Sequence, residues 1–384
     1  MMWSDNKKLD LIVNVLIFCI ALNIFHLGQL ILPLICLILF IDRKFKFEVS
    51  SKIVFIILCL FALTFFGFSF KLGFYSVMGF CLPMAYYIGQ NLNRSEDNIK
   101  KLIYIIALGM GVHVLLNMAY DFSIYGTELF RHTSHYDIWT KSEATLTAMA
   151  ANYMFMIGVI YYVIFKEKKL SIKIGFSLIF VIMMIYNMTI GRRTPILMLG
   201  ICFVLCFVSD FFIYGGNKKL MRNILIAILG IMLICAFVWV TDFMGIKTRI
   251  YYLPFLVKFR TYGFSSGRLE ILFDGIKLMP KHLWGGQEIS TILDIELHDL
   301  WTDIFDYAGV IPFGLMAVYT VIQVTMFVKI LRNKKISSSF KVLLTGAFTA
   351  CFLQAMLEPL MTGSSILLIC MVIMFASCDK LSEV

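Results

Sequence analysis

The chain has 384 residues, 60% of them hydrophobic and only 15% charged, and its mean hydropathy is +0.87. These proportions exclude a soluble globular domain, in which about a quarter of residues are charged. The net charge of +10 does not point to nucleic acid, because no Lys/Arg tract is interleaved with aromatics on a soluble segment; it reads as a charge bias across a membrane with anionic lipid.

Apolar runs of about 15 to 22 residues recur along the chain and suit helices crossing a hydrocarbon core of about 30 Å. The apolar–polar alternation of a membrane barrel is absent. The expected fold class is therefore all-α: a polytopic membrane protein of about 12 transmembrane helices, with one long extracytoplasmic loop containing short helices. In chain order the spans fall at 9–25, 27–41, 53–70, 72–90, 102–120, 144–165, 172–190, 195–214, 224–240, 304–330, 342–360 and 364–378. The first two are joined so tightly at Leu27 that they could equally form one re-entrant hairpin. Lys7 and Lys8 precede the first run and no small-residue cleavage site follows it, which reads as an uncleaved anchor. The whole of 1–384 reads as a single integral membrane domain, with 243–303 as the loop between the ninth and tenth spans.

Most of the 34 lysines and arginines fall between spans on the N-terminal side, which the positive-inside rule makes cytoplasmic. Both termini are then cytoplasmic. The exception among short loops is Arg192–Arg193, which this topology puts at the outer face. An arginine near the membrane must meet water, a partner or a ligand. The ten cysteines all lie in apolar segments, where they are small packing residues and suggest neither a disulfide framework nor a metal site.

Three polar constellations share the outer side. The first is GRRT at 191–194, leading into a span. The second is SSGRLEILFDGIKLMPKHLWGG at 265–286, where Leu269, Leu272, Ile276 and Met279 recur at helical spacing before Pro280 and the Gly285–Gly286 turn. The third is ELHDLWTDIFDYAGVIPFG at 296–314, entering the tenth span. Together these resemble the bacterial O-antigen and capsular polysaccharide polymerase (Wzy) and O-antigen ligase family of membrane glycosyltransferases. Arg193-Thr194 is similar to that family's arginine motif before an apolar span. Gly267-Arg268 with Pro280 and Gly285–Gly286 resembles its loop-helix motif, and His298-Asp299 with Gly309 its histidine motif. The resemblance covers roughly Thr189 to the C-terminus. Two departures stand out: Gly191-Arg192 replaces a usual serine, and Asp299 replaces a usual asparagine.

The resemblance implies a plasma (inner) membrane enzyme whose partners are an undecaprenyl-diphosphate-linked glycan donor and an acceptor. It makes a flippase and a chain-length regulator candidate neighbours. It implies inverting transfer at the outer face with no cofactor and no required metal. Arginine offers permanent, bidentate charge to a departing diphosphate, so Arg193 and Arg268 are the catalytic candidates there, with Arg192 as a further contact. A base must take the acceptor proton, and His298 is the candidate. Asp299 joins the substrate-binding candidates.

Plainer readings stand beside these. The arginines could snorkel to headgroups, Arg268 could pair with Glu270 or Asp274, and His298 could simply open a helix. Asp299, Asp303 and Asp306 share a face and could favour that helix's start or hold a cation. A second outer cluster, YGTELFRHTSHYDIWTKSE at 125–143, mixes charge and aromatics as sugar-contacting loops do; Arg131, Asp137 and Trp139 are its substrate-binding candidates, beside His132 and His135. As alternatives to a polymerase, a ligase would share the motifs and differ in acceptor, whereas a flippase would show two pseudo-repeated halves, and none is legible.

Overall fold

The computed structural model describes residues 7–69, 75–92, 95–130, 134–216, 268–379 and 381, with isolated positions between 218 and 261. Among them the chain is all-helical, and the one extended pairing is an isolated bridge between Tyr136 and Glu143. The helices are α1 (Lys7–Ala21), α2 (Gly28–Asp42), α3 (Lys52–Ser69), α4 (Tyr75–Asn91), α5 (Glu96–Tyr125), α6 (Leu146–Ala151), α7 (Met154–Phe165), α8 (Leu170–Ile190) and α9 (Thr194–Val208). After the little-described stretch come α10 (Arg268–Leu278), α11 (Glu288–Leu293), α12 (Leu300–Ala308), α13 (Val310–Arg332), α14 (Ser338–Leu357), α15 (Leu360–Gly363) and α16 (Ser365–Asp379).

Among the described residues seven helices are long and apolar enough to cross a membrane, and α2 and α16 are shorter apolar helices. Most of the expected ninth span lies outside the described residues. The expected tenth span is broken at Gly309, where φ is +85° and α12 gives way to α13. A run read by hydropathy alone merges the two because both are apolar.

Burial sorts the helices by position. The span ending α7 is 78% buried and α14 is 72% buried, whereas the spans in α8 and α13 are only 22% and 28% buried. The first pair are therefore central, and they cross backbone to backbone at Gly158 and Gly346, as small residues allow between membrane helices. The second pair are peripheral. α8 exposes Leu170, Ile174, Leu178, Val181, Ile185 and Met188, a stripe at steps of three and four that suits lipid.

Polar contacts divide between the two ends of the bundle. At one end Arg43 bridges Glu48 at 2.7 Å, Lys166 bridges Asp210 at 2.6 Å and Tyr104 donates to Glu167 at 2.8 Å. This end carries the N-terminus of α1 and most of the described lysines and arginines. The other end gathers the turns after α1, α5, α8 and α14, together with the 268–309 segment, and every candidate residue among the described ones falls there.

Candidate functional site

Gly191 adopts φ +68° and closes α8, its N–H reaching Asn187 O at 2.9 Å. The buried Asn187 side chain donates in turn to Arg192 O at 2.9 Å. The chain then re-enters a helix at once. Arg193 occupies the N-cap position of α9, and Thr194 and Pro195 form its first turn. Both arginines are half-buried. Thr194 Oγ1 donates to Glu358 Oε1 at 3.2 Å, and Glu358 is 1% exposed in the break between α14 and α15.

The 268–309 segment forms a small clasp. α10 runs into a 3-10 turn at Met279–Lys281, where Pro280 ends it. Of the expected stripe Leu269, Leu272, Ile276 and Met279, Met279 packs inward, Leu272 is half-buried and Ile276 faces out, while the Leu269 side chain lies outside the description. Ile271 and Leu278 pack with Ile289, Leu297 and Phe305, and Ile276 is exposed. The reason is Gly275, where an added Cβ would sit 2.9 Å from Leu297, so the closest approach centres on a residue with no side chain. Arg268 is the first residue of α10, and the description extends to its backbone alone.

Gly285 and Gly309 fasten the clasp. Gly285 has φ +75°, and a Cβ there would lie 2.7 Å from Gly309 N; one on Gly309 would lie 2.5 Å from Leu283 O. Only glycine fits either position. The backbones bond directly, Val310 N to Leu283 O at 2.9 Å and Gly286 N to Tyr307 O at 3.1 Å. Thus the second and third sequence motifs are physically one unit.

His298, half-buried, precedes the N-cap of α12. The cap is Asp299, whose carboxylate accepts from Trp301 N at 3.0 Å, from Thr302 N at 2.9 Å and from the Thr302 hydroxyl. Burial pushes the Asp299 carboxyl above its ordinary range, partly offset by those bonds. Asp303 accepts from Thr362 N at 3.2 Å and Thr362 Oγ1 at 3.0 Å, and Asp306 accepts from Ile289 N at 3.0 Å and Ser290 N at 3.3 Å. The three carboxylates that share a face in sequence are thus each turned to a different internal donor. Among the described residues no three His, Cys, Asp or Glu stand together as a metal site.

The second outer cluster is built differently. Arg131 and His132 lie outside the described residues. Asp137 is 8% exposed, and its oxygens accept from His26 Nε2 at 3.0 Å, His113 Nε2 at 3.1 Å, Trp139 N at 2.9 Å and Thr140 N at 3.0 Å. Burial would raise its pKa, yet the hydrogen bonds from His113 and His26 hold it well below the usual carboxylate range. Trp139 packs its ring 5.0 Å from Phe25. Asn23, Phe25 and His26 all have positive φ, so the turn between α1 and α2 is strained where it meets this loop. Behind it His135 Nδ1 meets Asp121 Oδ2 at 2.8 Å, and Tyr186 donates to the same oxygen at 2.5 Å.

Tyr186 and Asn187 are neighbours on the last turn of α8. One holds the 134–143 loop and the other holds the arginine turn, so the two clusters share a support. Sequence reasoning missed His26, His113, Asp121, Tyr186 and Glu358. A histidine or carboxylate inside an apolar run was the available signal, since such residues are rarely left there without a role.

Arginines at a helix start, a histidine before a capped helix and buried carboxylates lie toward one end of the bundle; arginine is chemically able to hold an anion and histidine to move a proton. A family model described as O-antigen polysaccharide polymerase Wzy fits residues 2–243, well over half of the chain. That stretch contains the arginine turn and the Asp137 cluster but not the clasp. No curated protein matches.

Proposed function

The chain belongs to the O-antigen polysaccharide polymerase Wzy family, and from that premise we propose that it joins undecaprenyl-diphosphate-linked repeat units into a surface polysaccharide, of O-antigen or capsule type, at the outer face of the plasma membrane. The polar end of the bundle is that outer face, both termini are cytoplasmic, and twelve spans are completed by 224–240, with 243–303 as the extracytoplasmic loop. The charge bias supports this orientation, because the opposite end carries most of the described lysines and arginines.

In the reaction, the acceptor sugar's hydroxyl oxygen attacks the anomeric carbon of the donor glycan on the side opposite the diphosphate. The bond from that carbon to the phosphate oxygen breaks, and its electron pair leaves with undecaprenyl diphosphate. The hydroxyl proton passes to His298. One displacement inverts the anomeric centre. Arg193 and Arg268 hold the diphosphate and meet the charge that develops on it, with Arg192 as a further contact, so no metal is required. Arg131 and Trp139 contact sugar, while Asp137 and Asp299 keep their loops in shape.

The observation that carries this reading is the gathering of the arginine turn, the Gly285–Gly309 clasp beneath His298 and the Asp137 loop at one end of an apolar bundle. The test is purified protein in liposomes supplied with lipid-diphosphate-linked oligosaccharide, with products resolved by size. A ladder of repeats is expected. A single transfer to a different acceptor would make the protein a ligase, and movement across the bilayer without a new glycosidic bond would make it a flippase.

A further inference from the structure

Glu358 ends α14 with extended backbone, φ −144° and ψ 146°, and turns the chain into Pro359. Proline disfavours helix at the residue before it, so the helix would stop here with any side chain at 358. A carboxylate that is 1% exposed is costly to bury unless its environment answers the charge. Its identity therefore needs a reason other than ending the helix.

The geometry offers one. Glu358 Oε1 accepts from Thr194 Oγ1 at 3.2 Å. Thr194 directly follows Arg193 in the first turn of α9, where the positive end of the helix dipole favours a negative charge. On the other side of the same turn the backbone is held by Asn187 through Arg192 O. Four residues beyond Glu358, Thr362 bonds Asp303 in the helix that starts after His298. The short segment 358–363 is thus a crosspiece between the arginine turn and the histidine clasp.

We propose that Glu358 is a positioning residue of the transfer site. Through Thr194 it fixes the first turn of α9, and so the direction in which Arg193 leaves the Gly191 turn toward the donor diphosphate. This rests on the reading of Arg193 as a diphosphate contact.

The experiment measures donor affinity and single-turnover transfer with lipid-diphosphate-linked oligosaccharide in liposomes. Thr194→Val and Glu358→Ala should each lower kcat/KM by roughly ten- to a hundredfold, the scale set by small misplacements of a catalytic group. Glu358→Gln keeps an acceptor oxygen for Thr194 and Thr194→Ser keeps the donor, so both should retain most activity. In an Arg193→Ala background neither Thr194→Val nor Glu358→Ala should cost anything more, because the residue they aim is gone. A loss that persists in full in that background, or normal transfer by both single variants, overturns the inference alone. Normal transfer by Arg193→Ala itself overturns the diphosphate reading and this inference with it. Should Glu358→Ala fail to accumulate, Thr194→Val decides, since it removes a single hydroxyl without changing bulk.

Discussion

Gly309→Ala should detach the clasp from the bundle while leaving the bundle intact. At φ +85° and ψ −172° Gly309 occupies backbone space that is essentially glycine's alone, which costs another residue on the order of 1 to 3 kcal/mol. The added Cβ would stand 2.5 Å from Leu283 O. Since that neighbour is backbone, relief requires the 283–286 turn to move. Movement breaks the Val310 to Leu283 and Gly286 to Tyr307 bonds, each contributing about 1 kcal/mol net. The total, roughly 3 to 5 kcal/mol, exceeds what holds a typical surface segment to its domain. A cysteine introduced at Leu297, 3% exposed in the parent, should then become reactive to an impermeant thiol reagent, and the glycan ladder should vanish. Gly286→Ala is the graded comparison. Its φ is +90° but its Cβ would meet nothing within 4 Å, so only the backbone strain remains and partial activity should survive. A Gly309→Ala variant with a full ladder and a protected residue 297 would refute the reasoning.

Four further outcomes follow from the site. Arg193→Ala and Arg268→Ala should nearly abolish transfer at normal membrane abundance, with lysine replacements only partly active because the planar fork is lost; normal ladders from both alanine variants would sink the phosphate assignment. His298→Ala should slow single-turnover transfer by roughly 10² to 10⁴-fold without weakening donor binding, whereas a His298→Gln variant at near-normal rate would leave the histidine no role as base. Asp299→Asn keeps the cap acceptor and removes a carboxyl whose pKa burial has raised; a raised acid destabilises the fold as pH rises through its range, so the variant should melt no lower than the parent at pH 7 in a thermal-shift assay and lose that decline. The hydrogen bond to Asp137 lifts the His26 pKa above its ordinary value against some desolvation. The imidazolium pair should therefore protect the 134–143 loop fully below the ordinary value and lose that contribution as pH rises through the raised one, a dependence in protease protection that His26→Asn should abolish.

Hydropathy was enough to read the helical class, because a bilayer forces apolar length into the sequence. The glycines of the clasp were legible too, since a motif that needs glycine can be recognised by it. Other features were hidden for particular reasons. The break at Gly309 falls inside one continuous apolar run, so nothing in hydropathy marks it. The buried face of α10 centres on Gly275, and a helix whose contact is made by the absence of a side chain cannot be found by counting apolar ones. The bonds to Asp306 from Ile289 and Ser290 and the His26–Asp137–His113 contact join residues 16 to 111 apart in the chain, and no local pattern encodes such a pairing. The resemblance rests on motifs after Thr189, while the family match extends over 2–243.

The shortness of α2 bears on the lipid around the protein. Its outward face, Leu30, Leu34, Leu37 and Ile41, belongs to a helix of 15 residues, which at 1.5 Å per residue spans about 22 Å, less than a hydrocarbon core of about 30 Å. Beside α2 the bilayer must thin to match, at a cost of a fraction of a kcal/mol for each ångström. Thinning would draw headgroups toward the His26 turn, and under the proposed function a lipid-linked donor arriving along this side would carry its diphosphate near the depth of the Asp137 loop. Transfer rates in liposomes should accordingly depend on acyl chain length, with thick bilayers penalising entry of the donor more than the chemistry that follows.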